Sequence, residues 1–259
     1  MRALVDGDII VYAVGFYNDI TYYTVDGKGR HKYKKDAKIY AKKEGIRQDK
    51  IIKHHEANDM KLSLDGIDEM MKKIMSKVSA NEAIPYLTGK DNFRETVAVT
   101  APYKGNRKES SRPFWYNEMR EYFVEAWDAV VVDGMEADDA MGIAQCRDST
   151  EDTVICSIDK DLLMVPGNHY NWKKEEFTTT TEQDSMRFFY TQMLTGDSTD
   201  NIIGLKGIGP VRAKKLLAGC SSWGTYHHAV REEYNREFGS AAHARFIENT
   251  QLLWIKQEE

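Results

Sequence analysis

The sequence predicts an α/β protein with a mostly parallel central sheet flanked by helices, followed by a helical C-terminal part. Three observations lead there. Short apolar runs alternate with amphipathic stretches from residue 2 to about residue 172. The runs are brief and apolar, as in Ala129–Val130–Val131–Val132, which suits strands. Beyond residue 184 the strand-like runs stop and helical spacing takes over.

Arg2–Asp6 reads as a buried strand ending in an acid, and Asp8–Phe16 as a helix with Ile9, Ile10, Ala13 and Val14 inward. Ile20–Val25 and Arg30–Tyr33 flank Asp26–Gly27–Lys28–Gly29, a hairpin signal. Residues 32–56 are polar and basic, and His54–His55 are expected on a solvated helix there. Leu62, Ile67, Met70, Met71, Ile74, Met75 and Val78 have the spacing of an amphipathic helix. Strands are expected at Ile84–Thr88, Ala129–Asp133, Thr153–Ile158 and His169–Trp172, with helices at Asn117–Ala126 and Ala137–Cys146. Such alternation implies crossover connections and a parallel sheet. The expected division is residues 1–183, with a basic segment near 103–120, and a helical part over 184–259.

Of the 259 residues, 41% are hydrophobic and 30% charged, as in a water-soluble globular chain. No apolar run is long enough to span a membrane, and Met1–Asp6 does not read as a signal peptide, so a cytoplasmic location is expected. Cys146, Cys156 and Cys220 are far apart and form no CxxC pair, which argues against zinc and against a disulfide framework. The net charge of −5 does not itself point to nucleic acid. Its distribution says more than its sum.

The acids fall where open parallel sheets bind ligands, beyond the carboxyl ends of strands. Asp6 ends the first expected strand and Asp91 lies just past the second. Asp133 and Glu136–Ala137–Asp138–Asp139 follow the third, and Asp159–Lys160–Asp161 the fourth. A single acid in a βα loop is more often a helix cap, and Asp133 is read that way. Crowded carboxylates, however, raise one another's pKa and oppose folding unless cations sit among them. Oxygen donors suit Mg²⁺ or Mn²⁺, and two such ions can clamp the attacking and leaving oxygens of a phosphodiester.

A further acidic pair, Asp197 and Asp200, opens the helical part. It is followed by Gly204–Leu205–Lys206–Gly207–Ile208–Gly209–Pro210, with Pro210 placed to start a helix. A glycine turn before a helix presents backbone N–H groups to phosphate, and Arg212, Lys214 and Lys215 add positive charge. That combination grips a sugar-phosphate backbone without reading bases.

Glu136-Ala-Asp-Asp139, Ser157-Ile-Asp-Lys-Asp161, Gly196-Asp-Ser-Thr-Asp-Asn-Ile202 and Gly207-Ile-Gly209, in this order, resemble the 5′→3′ exonuclease/flap endonuclease family. Tyr103-Lys-Gly-Asn-Arg107 looks like the same family's arch-base motif. The likeness is to stand-alone phage-type members, and so to a host-cell cytoplasm. It implies a PIN-like α/β domain with a helix-three-turn-helix, and metal-dependent hydrolysis of DNA near 5′ ends. By resemblance, Asp6, Glu136, Asp138, Asp139 and Asp159 serve a first metal. Asp161, Asp197 and Asp200 serve a second, with Asp159 between them. Lys104 and Arg107 are the expected catalytic cations at the scissile phosphate. Tyr103 is expected to stack on an unpaired base. Arg94, Lys206, Gly207, Gly209, Arg212, Lys214 and Lys215 complete the expected DNA contacts, and in the family the glycine turn often also holds a monovalent cation. DNA with a 5′ end, flap or branch is the expected partner of a monomeric chain, with the RNA–DNA hybrid as a further candidate. Two departures stand out. Gly89 occupies the position of a family Asp, which leaves Asp91 as its replacement, and the stretch 20–56 has no counterpart. The rival readings are a PIN-type ribonuclease and a non-catalytic DNA-binding homologue.

Overall fold

A computed structural model describes residues 1–106, 112–147 and 152–259. The elements along the chain are β1 (Arg2–Asp6), α1 (Gly7–Asn18), β2 (Asp19–Val25), β3 (Lys28–His31), α2 (Lys34–Lys43), β4 (Ile51–Ala57), α3 (Met60–Val78), β5 (Glu82–Thr88), α4 (Phe93–Val97) and α5 (Tyr116–Trp127). Then follow β6 (Val130–Val132), α6 (Ala137–Arg147), β7 (Thr153–Cys156), β8 (Gly167–Asn171), β9 (Glu176–Thr180), α7 (Glu182–Thr195), α8 (Pro210–Leu216), α9 (Trp223–Phe238) and α10 (Ala242–Leu253).

Two compact units share the chain. The larger comprises Met1–Ile9, Lys72–Ser110 and Phe123–Glu259. Its sheet runs β6-β5-β1-β7-β8-β9, with every pairing parallel except β8 with β9. Central β1 buries Ala3, Leu4 and Val5 completely or nearly so, as a strand covered on both faces must. From β1 the chain reaches β5 and β6 on one side and later β7 and β8 on the other. The order therefore reverses beside β1, and a crevice forms at the carboxyl ends of the strands there.

Helices α7, α9 and α10 belong to this same unit. Thr181 with Asp184 and Ser222 with Thr225 cap α7 and α9 reciprocally, which satisfies N–H groups that a helix start leaves free. Met193, Leu194, Tyr226, Val230, Tyr234 and Phe246 interlock between these helices and continue into the core under the sheet.

The second unit comprises Ile10–Met71 and Ser111–Tyr122. Its sheet is antiparallel, ordered β3-β2-β4. The hairpin between β2 and β3 turns on Asp26 (φ 52°) and Gly27 (φ 74°), the double left-handed geometry that matches strand twist and favours glycine. The expected helix around His54–His55 is a strand, β4. Cross-strand pairing decided it: His54 stacks on Tyr22 at 4.6 Å and hydrogen-bonds Thr24, while His55 meets Asp19 at 2.7 Å. The edge strand β9 pairs with β8 although Thr178, Thr179 and Thr180 carry no apolar alternation.

Candidate active site

Asp6 closes β1 in the large unit. Its carboxylate accepts the Ile9 N–H at 3.1 Å and the Ser157 hydroxyl at 2.8 Å. Ser157 also accepts the Asp159 N–H, and Asp159 accepts the Asp161 N–H at 2.9 Å. A relay of short turns at the ends of β1 and β7 thus fixes three acids side by side.

Glu136, Asp138, Asp159, Asp161, Asp197 and Asp200 line one cavity of about 110 Å³ with Arg94, Tyr103, Lys104 and Lys160. Six carboxylates therefore face three cations. Burial, then repulsion from neighbouring acids, pushes Asp138 well above the usual carboxylate range. Burial and the charge of Asp159 lift Asp161 to about 6. Asp6, buried behind them, is raised to about 7 by burial, with Asp8 and Asp159 adding to it. The site is short of positive charge.

The cations and donors present fill part of that deficit. The Lys104 ammonium pairs with Glu136 and lies 3.9 Å from Asp200. Lys104 holds a left-handed backbone (φ 54°), and its N–H donates to the Asp200 carbonyl at 2.9 Å. The Tyr103 hydroxyl lies 2.9 Å from Glu136 and 2.8 Å from Asp200. Across the cavity Gln192 donates to Asp161 at 2.8 Å and Lys160 reaches Asp161 and Asp197.

Among the described residues no group of three or more acid, His or Cys side chains is gathered at metal-holding spacing. Lys104 and Tyr103 stand between Glu136 and Asp200 instead. The donor chemistry nevertheless fits hard cations: the ligands are all carboxylate oxygens. Admitting such an ion requires Lys104 and Tyr103 to release those oxygens.

Several expected site residues stand elsewhere. Asp139 is fully buried, and both its oxygens are taken by the Arg94 guanidinium, with the Glu136 and Lys256 N–H groups donating as well. Arg94 is 2% exposed and also donates to the Leu252 and Trp254 carbonyls, so its guanidinium is held by protein groups at the cavity floor. Tyr103 directs its hydroxyl to the acids, between Glu136 and Asp200. Asp91 is exposed, in a left-handed turn outside the cavity. A Cβ at Gly89 would strike the Asp133 carboxylate, which accepts the Lys90 N–H at 2.7 Å. The space an acid at 89 would need is thus filled by Asp133. Arg107 lies outside the described residues.

Gly207 adopts φ 72°, and Pro210 opens α8 as expected. Arg212, Lys214 and Lys215 are exposed, while Ala213 and Leu217 hold the helix to the core. The exposed Lys206 has its backbone N–H engaged by Glu237 at 2.9 and 3.0 Å. Sequence reasoning missed the C-terminal wall: Leu252, Leu253 and Ile255 line the acidic cavity. Their apolar run reads as plain helix docking, and nothing in it signals the site.

The raised carboxylates have a thermodynamic consequence. A group with its folded pKa above its unfolded value makes the folded state bind more protons, so stability falls as pH rises between the two values. For Asp6 that window runs from about 4 to about 7. The metal-free protein is therefore expected to melt at a lower temperature at pH 8 than at pH 5.5. Added Mg²⁺ should raise the melting temperature more at pH 8, where the acids are ionised. Thermal scans with EDTA or Mg²⁺ at both pH values check this, and equal gains at both would contradict it.

No family model matches the sequence. Solved structures match along nearly its whole length, and they carry the phage-type 5′-exonuclease/flap endonuclease fold. The bacteriophage T5 D15 protein co-crystallised with metal ions aligns at TM-score 0.59 and 15% identity, over 97% of this chain and 88% of that one. A complex of the T5 D15 flap endonuclease with DNA and metal ions gives 0.57 at 16% identity, over 97% and 88%. T5 5′-exonuclease with bound zinc gives 0.57 at 16% identity, over 98% and 89%. The chain has that fold. No helix among the described residues is long and apolar enough to cross a membrane.

Proposed function

We propose that this chain is a divalent-metal-dependent 5′→3′ exonuclease and flap endonuclease that hydrolyses DNA phosphodiesters near 5′ ends. One observation carries the reading: six carboxylates from separate segments converge on one cavity short of positive charge. A non-catalytic scaffold gains nothing from such repulsion, whereas a phosphodiesterase uses it to hold cations. Glu136, Asp138, Asp159, Asp161, Asp197 and Asp200 would hold two Mg²⁺ or Mn²⁺ ions, with Asp6 supporting them through Ser157. Bound there, the ions supply Lewis acidity and lower the pKa of water.

The chain's own groups do the rest. Lys104, freed from Glu136, is placed to balance charge developing on the phosphoryl oxygens, and Arg107 is proposed beside it. Lys160 does the same from the side of Asp161 and Asp197. Leu252, Leu253 and Ile255 exclude water along one wall. Residues 1–183 would carry most of the chemistry, and 184–259 would add Asp197 and Asp200 to it and supply the grip on duplex. In that grip Arg212, Lys214 and Lys215 engage phosphates at the Gly207–Gly209 turn, with a monovalent cation as a proposed companion. The T5 structures include complexes with metal ions and with DNA, which supports the choice of both partners.

The test is direct. The full chain is incubated with 5′-labelled duplex, flap, RNA–DNA hybrid and single-stranded RNA, in Mg²⁺ and in EDTA, and the products are sized. Cleavage of the DNA substrates in Mg²⁺ alone is expected. Cleavage of RNA only would favour a ribonuclease, and binding without cleavage would overturn the catalytic reading.

A further inference from the structure

The smaller unit holds a concentration of positive charge that the acidic cavity does not use. Residues 28–53 contain eleven lysines and arginines against three acids, in a chain whose net charge is −5. A solvated face explains scattered lysines, but three of these, Lys32, Lys34 and Lys53, line a groove.

The antiparallel register sets Tyr23 opposite Lys53 and Thr21 opposite His55. Alternation of side chains along β2 and β4 puts these four on one face of the sheet. Val25, further along that face, is covered by Ala37 and Ala41 of α2. Beyond the helix the face stays open as a groove of about 440 Å³, walled by Phe16, Tyr23, Lys32, Tyr33, Lys34 and Lys53. Its acid, Asp19, is already engaged by His55 and by the Phe114 N–H. Among the described residues Lys32, Lys34 and Lys53 enter no ion pair, and all three are exposed. Tyr33 is 52% exposed at the start of α2, with the Lys32 and Lys35 ammonium groups 5.6 and 5.4 Å from its ring centre. Phe16, also lining the groove, is 45% exposed.

We propose that this groove is a second nucleic-acid site, which takes single-stranded DNA or RNA. Lysines along a groove track the phosphate backbone, and half-exposed aromatic rings give bases a surface to stack on. A duplex keeps its base faces covered and would leave Tyr33 and Phe16 without a role. An anionic lipid or acidic peptide would use the lysines but has no bases to stack. The choice of ligand rests on reading the chain as a protein that acts on nucleic acid; the groove itself does not.

The test uses the full-length chain in EDTA and a fluorescent twenty-nucleotide oligo-dT, with anisotropy read across a salt series. The exposed positions make Lys32→Ala/Lys34→Ala/Lys53→Ala and Tyr33→Ala safe for folding, which melting scans confirm independently. The triple variant is expected to lose about tenfold or more in affinity, and its plot of log K against log salt to flatten by about 2, since each single-strand phosphate contact contributes about 0.7. Tyr33→Ala is expected to lose about five- to a hundredfold with its salt slope unchanged, as loss of one stacked base would give. Both variants should cleave a short blunt duplex in Mg²⁺ within about twofold of the parent. Unchanged affinity and slope in the triple variant would overturn the proposal. So would equal displacement of oligo-dT by polyglutamate or by phosphatidylserine vesicles, because charge alone would then explain binding. Absence of cleavage by parent and variants alike would refute the nuclease reading and leave the groove's test intact.

Discussion

Asp159→Asn is expected to reduce cleavage by at least about a hundredfold while leaving DNA affinity in EDTA within a fewfold of the parent. Asp159 stands at the centre of the acids. Its charge contributes to the raised pKa of Asp6, Asp138 and Asp161 together. Asparagine keeps the shape and can still accept the Asp161 N–H that Asp159 accepts at 2.9 Å. The turn should survive, and what disappears is one negative charge shared among three neighbours. Two effects then separate. Metal binding weakens, so turnover falls. Repulsion in the metal-free protein also weakens, so its melting temperature at pH 8 should rise, and added Mg²⁺ should add less than it does to the parent. A simple folding defect would move melting the other way. Turnover within a fewfold of the parent would remove Asp159 from the metal site.

This expectation could be framed from sequence because the acids cluster locally. Glu136–Asp139 lies where the chain after β6 enters α6, and Asp159–Asp161 follows β7, and strand ends are legible from apolar runs. The run Arg2–Asp6 appears unaltered as β1, and the helix read over residues 62–78 appears as α3. Roles set by distant partners were not legible. Asp139 looks identical to Asp138 in the sequence. One faces the cavity and the other is locked to Arg94, 45 positions away. A helix turns about 100° per residue, so adjacent acids face different surroundings. Only the three-dimensional position of Arg94 says which is which. Tyr103 is a similar case. An aromatic beside a basic motif reads as a stacking residue, and the sequence does not show that its hydroxyl lies between Glu136 and Asp200. His54 and His55 failed for a different reason. Their neighbours are polar on both periods, so neither helix nor strand spacing shows, and only pairing with β2 makes a strand.

The reassignment of Arg94 leads to the second large expected effect. Its guanidinium is held by both oxygens of Asp139 and by two carbonyls of the C-terminal segment. That planar fork joins α4, α6 and the C-terminal end of α10 at the floor of the acidic cavity. Arg94→Ala would leave the Asp139 carboxylate buried without its cation, along with two unpaired carbonyls. Breaking a buried pair from one side costs about 3–5 kcal/mol. In a chain of this size that lowers the melting temperature by roughly 6–20 °C. Arg94→Lys should recover only part of the loss, because a single ammonium cannot match the bidentate geometry. Arg94→Ala/Asp139→Ala removes both charges and is expected to be more stable than Arg94→Ala alone. That ordering distinguishes a strut from a surface contact. A DNA-contacting arginine would lower affinity and flatten the salt dependence with little change in melting, and its loss would not be relieved by removing Asp139. Melting scans of the three variants, beside their affinity for duplex in EDTA, decide between the two roles. If Arg94→Ala melts like the parent but binds DNA weakly, Arg94 returns to the DNA-facing surface and the cavity floor needs another support.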